Sequence, residues 1–481
     1  MSGLFPFSRT LFYFSPEMIL FGFGLLILCA DSLMQESKKS FLGKLTLFAL
    51  SASVLATLLL WGKKSSLFGT LYLLDAYSLF FKIVFLGAAL FTVVASSRYL
   101  LLTGIPQGEY LALLLFATTG MMVMVSGADL LSIYLGLEVM AIASYALVAL
   151  LKKERASLEG ALKYFLLGAF NSGIILYGIA LLYGGAGTTH LGTLAGFLAK
   201  SPPSKMLLAG IGLLTAGLAF KISAFPFHMW VPDAYEGSPT PVAGFISVAS
   251  KAASFGVLLR LSLSVMTPLK GEWHMLVVTL SVMTMTFGNL LAFSQESLKR
   301  MLAYSSIAHA GYLLIGLAVG TPLGLSAVLF YFVAYGLMNL GAFAMMVLIA
   351  KKERRPESLD DFRGLARVHP GWALCFLIFL LSLAGIPPSS GFIGKFYLFA
   401  GAIQSGLYGL AVIAVLNSVL AFSYYFRVVR GMYMMEGRSV EISSSWGLRL
   451  SLILLALFTV ALGLYPVPFL KAAQQAVASL R

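Results

Sequence analysis

The sequence predicts an all-α polytopic membrane protein of about 14 transmembrane helices, with two inverted five-helix repeats that each contain a broken helix. Three observations predict it. Of 481 residues, 59% are apolar and only 11% charged, against roughly 25% charged in a soluble domain, and the mean hydropathy is +0.92. Apolar runs of about 20 residues, long enough to cross a hydrocarbon core, follow one another along the whole chain with short polar joints. Two of these runs are interrupted by prolines close to a lone lysine, the pattern of helices that break at a mid-membrane site. The composition leaves no stretch for an extramembrane enzyme domain, so activity lies within the membrane or in partner chains.

The elements follow in order. The first run, near 14–30, has Glu17 ahead of its core and no small-residue cleavage site, so it is a retained helix and not a signal peptide. Runs near 41–61 and 74–98 complete an N-terminal three-helix segment, 1–108. A first repeat over 109–266 takes the runs 109–127, 129–151, 158–184, 205–225 and 240–266. A second repeat over 274–434 takes 274–294, 298–320, 322–350, an interrupted crossing at 370–404, and 406–434. The run 447–466 is the C-terminal helix within 435–481. In LLTAGLAFKISAFPFHMWVPDAYEGSPTPV, Pro226 offers no N–H to the Ile222 carbonyl and Pro232 none to that of His228, so regular helix fails within about a turn of Lys221. In LSLAGIPPSSGFIGKFYLF, Pro387 and Pro388 free the carbonyls of Leu383 and Ala384 shortly before Lys395.

Sidedness follows from the basic residues. Alternating the loops gathers most of the 33 Lys and Arg on one face, among them Lys38, Lys152, Lys153, Lys299, Lys351, Lys352, Arg354, Arg355 and Arg438. The other face holds few, including Lys63, Lys200, Arg260, Lys471 and Arg481. The excess marks the first face as cytoplasmic and sets both termini on the non-cytoplasmic side. The net charge of +14 is therefore loop charge facing water and lipid headgroups, with no nucleic-acid partner implied. The polar stretch 351–370 is expected to be an amphipathic cytoplasmic connection suited to docking a soluble partner.

Cys29 and Cys375 are far apart and form no CxxC or CxxCH spacing, so ligands for an iron–sulfur cluster or a c-type haem are not expected. The five histidines stand alone without same-face pairs for a metal. No cofactor or metal is expected in this chain.

Lys82, Lys221, Lys251, Lys395 and Glu138 fall inside apolar runs. A charge at mid-bilayer costs at least ~2.5–3.5 kcal/mol, so several in one chain point to an ion or proton pathway or to partners. Lys82, only about two turns from Asp75, is expected to snorkel to the interface. A Glu138–Lys221 pair sets protonation within reach of neutral pH, because burial favours the neutral amine and the carboxylate favours the ammonium. Passage from there to Lys251 and Lys395 gives a polar line across the bundle, with His228 and His309 as candidate relays.

The runs FPFHMWVPDAYEGSPTPV, KYFLLGAFNSGIILYGIALLYG and AGIPPSSGFIGKFYLF resemble the antiporter-like membrane subunits of respiratory complex I. That family includes subunits of Mrp-type cation/proton antiporters and of membrane-bound hydrogenases. The run Tyr235 to Val242, the run Lys163 to Gly168, and lysine at position 395 are most similar to the subunit-N type, also called subunit 14 or, in mitochondria, subunit 2. The resemblance implies fourteen helices with two inverted repeats. It implies proton translocation by Glu138, Lys221, Lys251 and Lys395, with His228 and His309 less defined. It also implies a place in the membrane arm of a bacterial inner-membrane NADH:quinone oxidoreductase beside subunits M and K. Flavin, iron–sulfur clusters and quinone would then be held by partner subunits. A subunit of an Mrp-type antiporter is the alternative.

Overall fold

The computed structural model describes residues 4–35, 39–200, 203–267, 270–350, 358–437, 442 and 445–480. The start of the expected cytoplasmic connection, with Lys351, Lys352, Arg354 and Arg355, lies outside the described residues, as do Lys38, Arg438 and Arg481. Leu4–Tyr13 (α1) and Ser15–Leu33 (α2) lead to Ser40–Leu59 (α3). An antiparallel hairpin of Ser65–Leu67 (β1) and Tyr72–Leu74 (β2), paired Ser65 with Leu74, turns the chain into Ala76–Thr103 (α4). Gln107–Ser126 (α5), Leu130–Val148 (α6) and Arg155–Ala186 (α7) are followed by the short Leu191–Lys200 (α8). Lys205–Lys221 (α9) and Trp230–Gly237 (α10) are two halves of one broken crossing. Thr240–Phe245 (α11) passes through a π-helical turn, Ile246–Ser250, into Lys251–Ser264 (α12).

Lys270–Phe293 (α13), Leu298–Val319 (α14) and Pro322–Leu348 (α15) come next. After the short Leu365–Val368 (α16), a second broken crossing consists of Pro370–Ala384 (α17) and Ser390–Gln404 (α18). Tyr408–Met434 (α19), Trp446–Leu464 (α20) and Val467–Ala478 (α21) finish the chain. Among the described residues, 12 helices are long and apolar enough to cross a membrane.

Both breaks fall where the prolines require them. α9 ends at Lys221, and Pro232 sits in the first turn of α10, where a missing N–H is tolerated. The Phe220 carbonyl left at the end of α9 accepts the Trp230 indole N–H at 3.2 Å. α17 ends at Ala384 against Gly385, whose φ of +87° is a conformation only glycine adopts without strain. Ser389 then caps α18 through the Phe392 amide. Each break contains one cis X–Pro bond, at Pro226 and Pro388.

Small residues set the closest crossings. A methyl on Gly120 of α5 would lie 2.5 Å from the Met140 nitrogen of α6, and one on Gly136 would lie 2.6 Å from that of Met124, so these helices touch backbone to backbone. α13 and α14 meet in the same way, with Gly288 against Ala308 and Gly311 against Met285. The mostly buried α15 is the central strut, packed against α4, α14, α17, α18, α20 and α21. α21 closes the hairpin end by lying on α4 and α15.

Three features differ from the expectation. The hairpin was invisible because three-residue strands at a joint between apolar runs leave no alternating period to detect. Arg260, counted with the loop charges, lies buried in α12 against Asp75, bonded to both carboxylate oxygens at 3.0 and 3.1 Å. Lys82 does not snorkel. It is 0% exposed and paired at 2.7 Å with Glu17, itself 0% exposed, because the hairpin folds over its end of α4 and α2 supplies the counter-charge.

Candidate functional site

The site is built from side chains on eight helices. Glu138 stands half-buried on α6, and its carboxylate accepts a hydrogen bond from Ser172 of α7. Lys221, at the last residue of α9, is buried and donates to the Tyr145 hydroxyl at 3.2 Å. Tyr145 lies seven residues beyond Glu138, about two turns along the same helix. The expected direct ion pair does not form, since no Glu138–Lys221 contact of 4.0 Å or less exists. The amine is instead bonded to Tyr145 and the carboxylate to Ser172. Tyr145 has room because Gly168 faces it: a methyl there would overlap the phenol hydroxyl.

Four residues of the Lys163 to Gly168 run are thereby explained. Lys163 pairs with Asp233 at 2.7 Å, and Tyr164 stacks on Trp230 with centroids 4.3 Å apart. Phe165 meets the Tyr145 ring edge to face, and Gly168 clears its hydroxyl. The Tyr235 to Val242 run has a similar logic at the same end of the bundle. Arg300 bridges Asp233 at 2.9 Å and Glu236 at 2.5 Å, and Lys299 donates to the carbonyls of Glu236 and Ser238 at 2.9 and 2.8 Å. These contacts clamp α10, the second half of the first broken crossing, to α7 and α14.

The second half of the site runs along one face of α14. Lys251, buried on α12, donates to Ser306 at both its carbonyl (2.9 Å) and hydroxyl (2.8 Å). One turn on, His309 is hydrogen-bonded through Nδ1 to Tyr331 at 2.6 Å and through Nε2 to Tyr425 at 3.3 Å, and Tyr425 is bonded to Ser305. A further turn on, the Tyr312 ring lies 4.6 Å from the Lys395 ammonium. Residues 306, 309 and 312 share a face at helical spacing, so α14 lays a polar row between Lys251 and Lys395. Lys395 itself donates to the carbonyls of Leu383 and Ala384 at 3.2 and 3.0 Å.

His228 lies in the first break, stacked on Phe225, and its buried Nδ1 has no hydrogen-bond partner. It does not touch Lys221 or Lys251, although it feels the Lys251 charge. Sequence reasoning missed Tyr145, Ser172, Ser306, Tyr312, Tyr331 and Tyr425. The one usable signal was the spacing of Ser306, His309 and Tyr312 by three residues within an apolar run. Among the described residues no three His, Cys, Asp or Glu side chains converge as metal ligands.

Comparison with known proteins shows the family. Residues 127–421 match the family described as NADH:quinone oxidoreductase/Mrp antiporter, transmembrane. NADH-quinone oxidoreductase subunit N of Trichlorobacter lovleyi is 43% identical over 469 residues, covering 96% of each chain. Subunit N 2 of Solibacter usitatus is 45% identical over 85% of this chain and 83% of that one. A chain of respiratory complex I from Thermus thermophilus superposes with a TM-score of 0.82 at 33% identity, over 95% of this chain and 98% of that one. A chain of the Mrp complex from a Dietzia species shares the fold, with a TM-score of 0.84 at 22% identity, over 96% and 97%.

Proposed function

The chain belongs to the NADH:quinone oxidoreductase/Mrp antiporter family of membrane subunits, and from that premise we propose how it works as the proton-translocating subunit N of an NADH:quinone oxidoreductase. Electron transfer from NADH to quinone takes place in other subunits, which hold flavin, iron–sulfur clusters and quinone. This chain moves protons.

Lys221 is loaded from the cytoplasm while the Glu138 carboxylate favours its ammonium form. When that interaction is disturbed, the proton passes toward Lys251 and on to Lys395. The observation that carries this reading is the row on α14: Ser306, His309 and Tyr312 lead from Lys251 to Lys395 through groups that accept and donate protons. Tyr145, on the helix of Glu138, accepts from Lys221.

The order of elements supports fourteen crossings in two inverted repeats. Twelve uninterrupted spans and two broken ones make fourteen. Helices α5, α6, α7, α9/α10 and α11/α12 have counterparts in α13, α14, α15, α17/α18 and α19. Five crossings per repeat is an odd number, so the second repeat enters from the opposite face. The boundaries 1–108, 109–266, 274–434 and 435–481 follow that division. The positive-inside bias supports both termini on the non-cytoplasmic face of a bacterial inner membrane. Half-buried Glu138 lies among the exposed apolar Leu135, Val139 and Ile142, a face suited to a neighbouring subunit such as M or K.

The Mrp-type alternative shares the fold, and the near full-length identity to subunit N chains favours the oxidoreductase. Purification from native membranes tests the choice. Co-isolation with flavin and iron–sulfur subunits is expected, and isolation with small membrane subunits alone would reverse it.

A further inference from the structure

The pathway above leaves two buried ion pairs unused at the hairpin end of the bundle. Glu17 of α2 and Lys82 of α4 are 2.7 Å apart, and Tyr72 of β2 closes a triangle, donating to Glu17 at 2.7 Å and accepting from Lys82 at 2.5 Å. Glu17 Oε2 is buried and has no hydrogen-bond partner, and the same holds for the hydroxyl of Ser126, whose neighbour Gly127 bridges to Tyr72. Three residues beyond Tyr72, Asp75 takes two bonds from Arg260. The guanidinium lies 5.0 Å from the Tyr77 ring, and Tyr77 donates to the Gly256 carbonyl, between Lys251 and Arg260 on α12.

Four buried charges in one corner are not a packing requirement, because well-packed apolar residues of similar volume serve at least as well in a buried pair's place. Ionisable groups inside a membrane protein mark ion or proton routes. The placement has a direction as well. Arg260 lies about 13 Å along α12 from Lys251, Lys82 about 9 Å inside the end of α4, and Glu17 in the first turn of α2. The groups thus step from the central row to the hairpin face.

We propose that Glu17, Tyr72 and Lys82 form a proton-holding release site on a branch that leaves the central row at Lys251, separate from the passage to Lys395, runs past Arg260 and Asp75, and opens to the hairpin face. The inference rests on the reading of the chain as a proton translocator. At rest Glu17 is a carboxylate and Lys82 an ammonium, and the site is neutral. An arriving proton binds the free Oε2 of Glu17, making a carboxylic acid beside the ammonium and a net charge of +1. The proton then leaves Glu17 for the hairpin face, the carboxylate re-forms, and nothing else is consumed. Burial, and then the Glu17 charge, hold the Tyr72 phenol well above its ordinary pKa, so it stays a hydrogen-bond donor throughout.

The test uses the assembled oxidoreductase in membrane vesicles, with proton translocation per NADH oxidised normalised to the amount of complex. Glu17→Gln, Lys82→Met and the double variant are compared. A merely structural pair predicts that the double variant, which leaves no unpaired charge, recovers pumping. The proposal predicts that it assembles yet pumps at least twofold less than the parent, and recovery to the parent ratio overturns it. Tyr72→Phe keeps the Glu17–Lys82 pair and removes only the phenol hydroxyl. The same loss is expected there, and unchanged pumping overturns the site even if the double variant does not assemble. Lys221→Ala, run in parallel, separates the two readings. Full pumping in Lys221→Ala refutes the translocator itself, whereas loss there with none in the double variant refutes only the release site.

Discussion

The Lys395 ammonium donates to the carbonyl of Ala384 at 3.0 Å, and that carbonyl is one the following prolines leave without a helical partner. The break in the helix and the charge in the membrane are therefore one device: Pro387 and Pro388 expose backbone acceptors that Lys395 uses. Gly385 sits between them in a left-handed conformation, and a methyl on it would come within 2.8 Å of the Lys395 side chain. Gly385→Ala is expected to cost at least about 1–2 kcal/mol from the backbone alone and to push the amine off its carbonyls. Vesicle assays of the assembled complex should show pumping reduced severalfold, and parent-level pumping would mean that the position of Lys395 is not critical.

Tyr145 holds the Lys221 amine on the same helix that carries Glu138. Tyr145→Phe removes a hydrogen bond to a charged amine, an interaction of about 1.5–3 kcal/mol, without changing the packing of the ring. Coupled pumping should fall about tenfold with normal assembly. Gly168→Ala, which displaces the same hydroxyl from a different helix, should reproduce the phenotype. A pumping Gly168→Ala variant beside an inactive Tyr145→Phe would show that the hydroxyl tolerates displacement.

On α14, His309→Leu should interrupt the row while leaving Lys251 bonded to Ser306. Ser306→Ala should do less, because the Ser306 carbonyl remains as acceptor for Lys251. The expected order of pumping is parent, then Ser306→Ala, then His309→Leu. Equal activity in all three makes the row a packing feature.

Asp233 joins Lys163 and Arg300 across three helices. These are partly exposed pairs, each worth at most about 1 kcal/mol and weakened by salt. Asp233→Asn is therefore expected to lower the thermal denaturation midpoint of the purified complex modestly at low ionic strength, with the difference shrinking in concentrated salt. A salt-independent loss would locate the effect in the close backbone approach of α10 to α7, where a methyl on Gly160 would lie 2.4 Å from the Asp233 carbonyl oxygen.

The legible part of this molecule is what hydrocarbon makes expensive. Glu138, Lys221, Lys251 and Lys395 stood out because charge is rare in apolar runs, and both breaks could be placed because proline removes a known N–H. Tyrosine and serine are ordinary in membrane helices, so Tyr145, Tyr312 and Tyr425 gave no signal until the fold brought them to the charges. Lys82 was misjudged for a related reason: its partner Glu17 is 65 residues away, and distance in sequence hides a counter-charge.

The most direct test is proton translocation per electron in the assembled complex carrying Lys221→Ala or Glu138→Ala. Pumping and coupled NADH:quinone activity are predicted to fall in both variants while the complex remains assembled. Full pumping in both would contradict the assignment of this chain as a proton translocator.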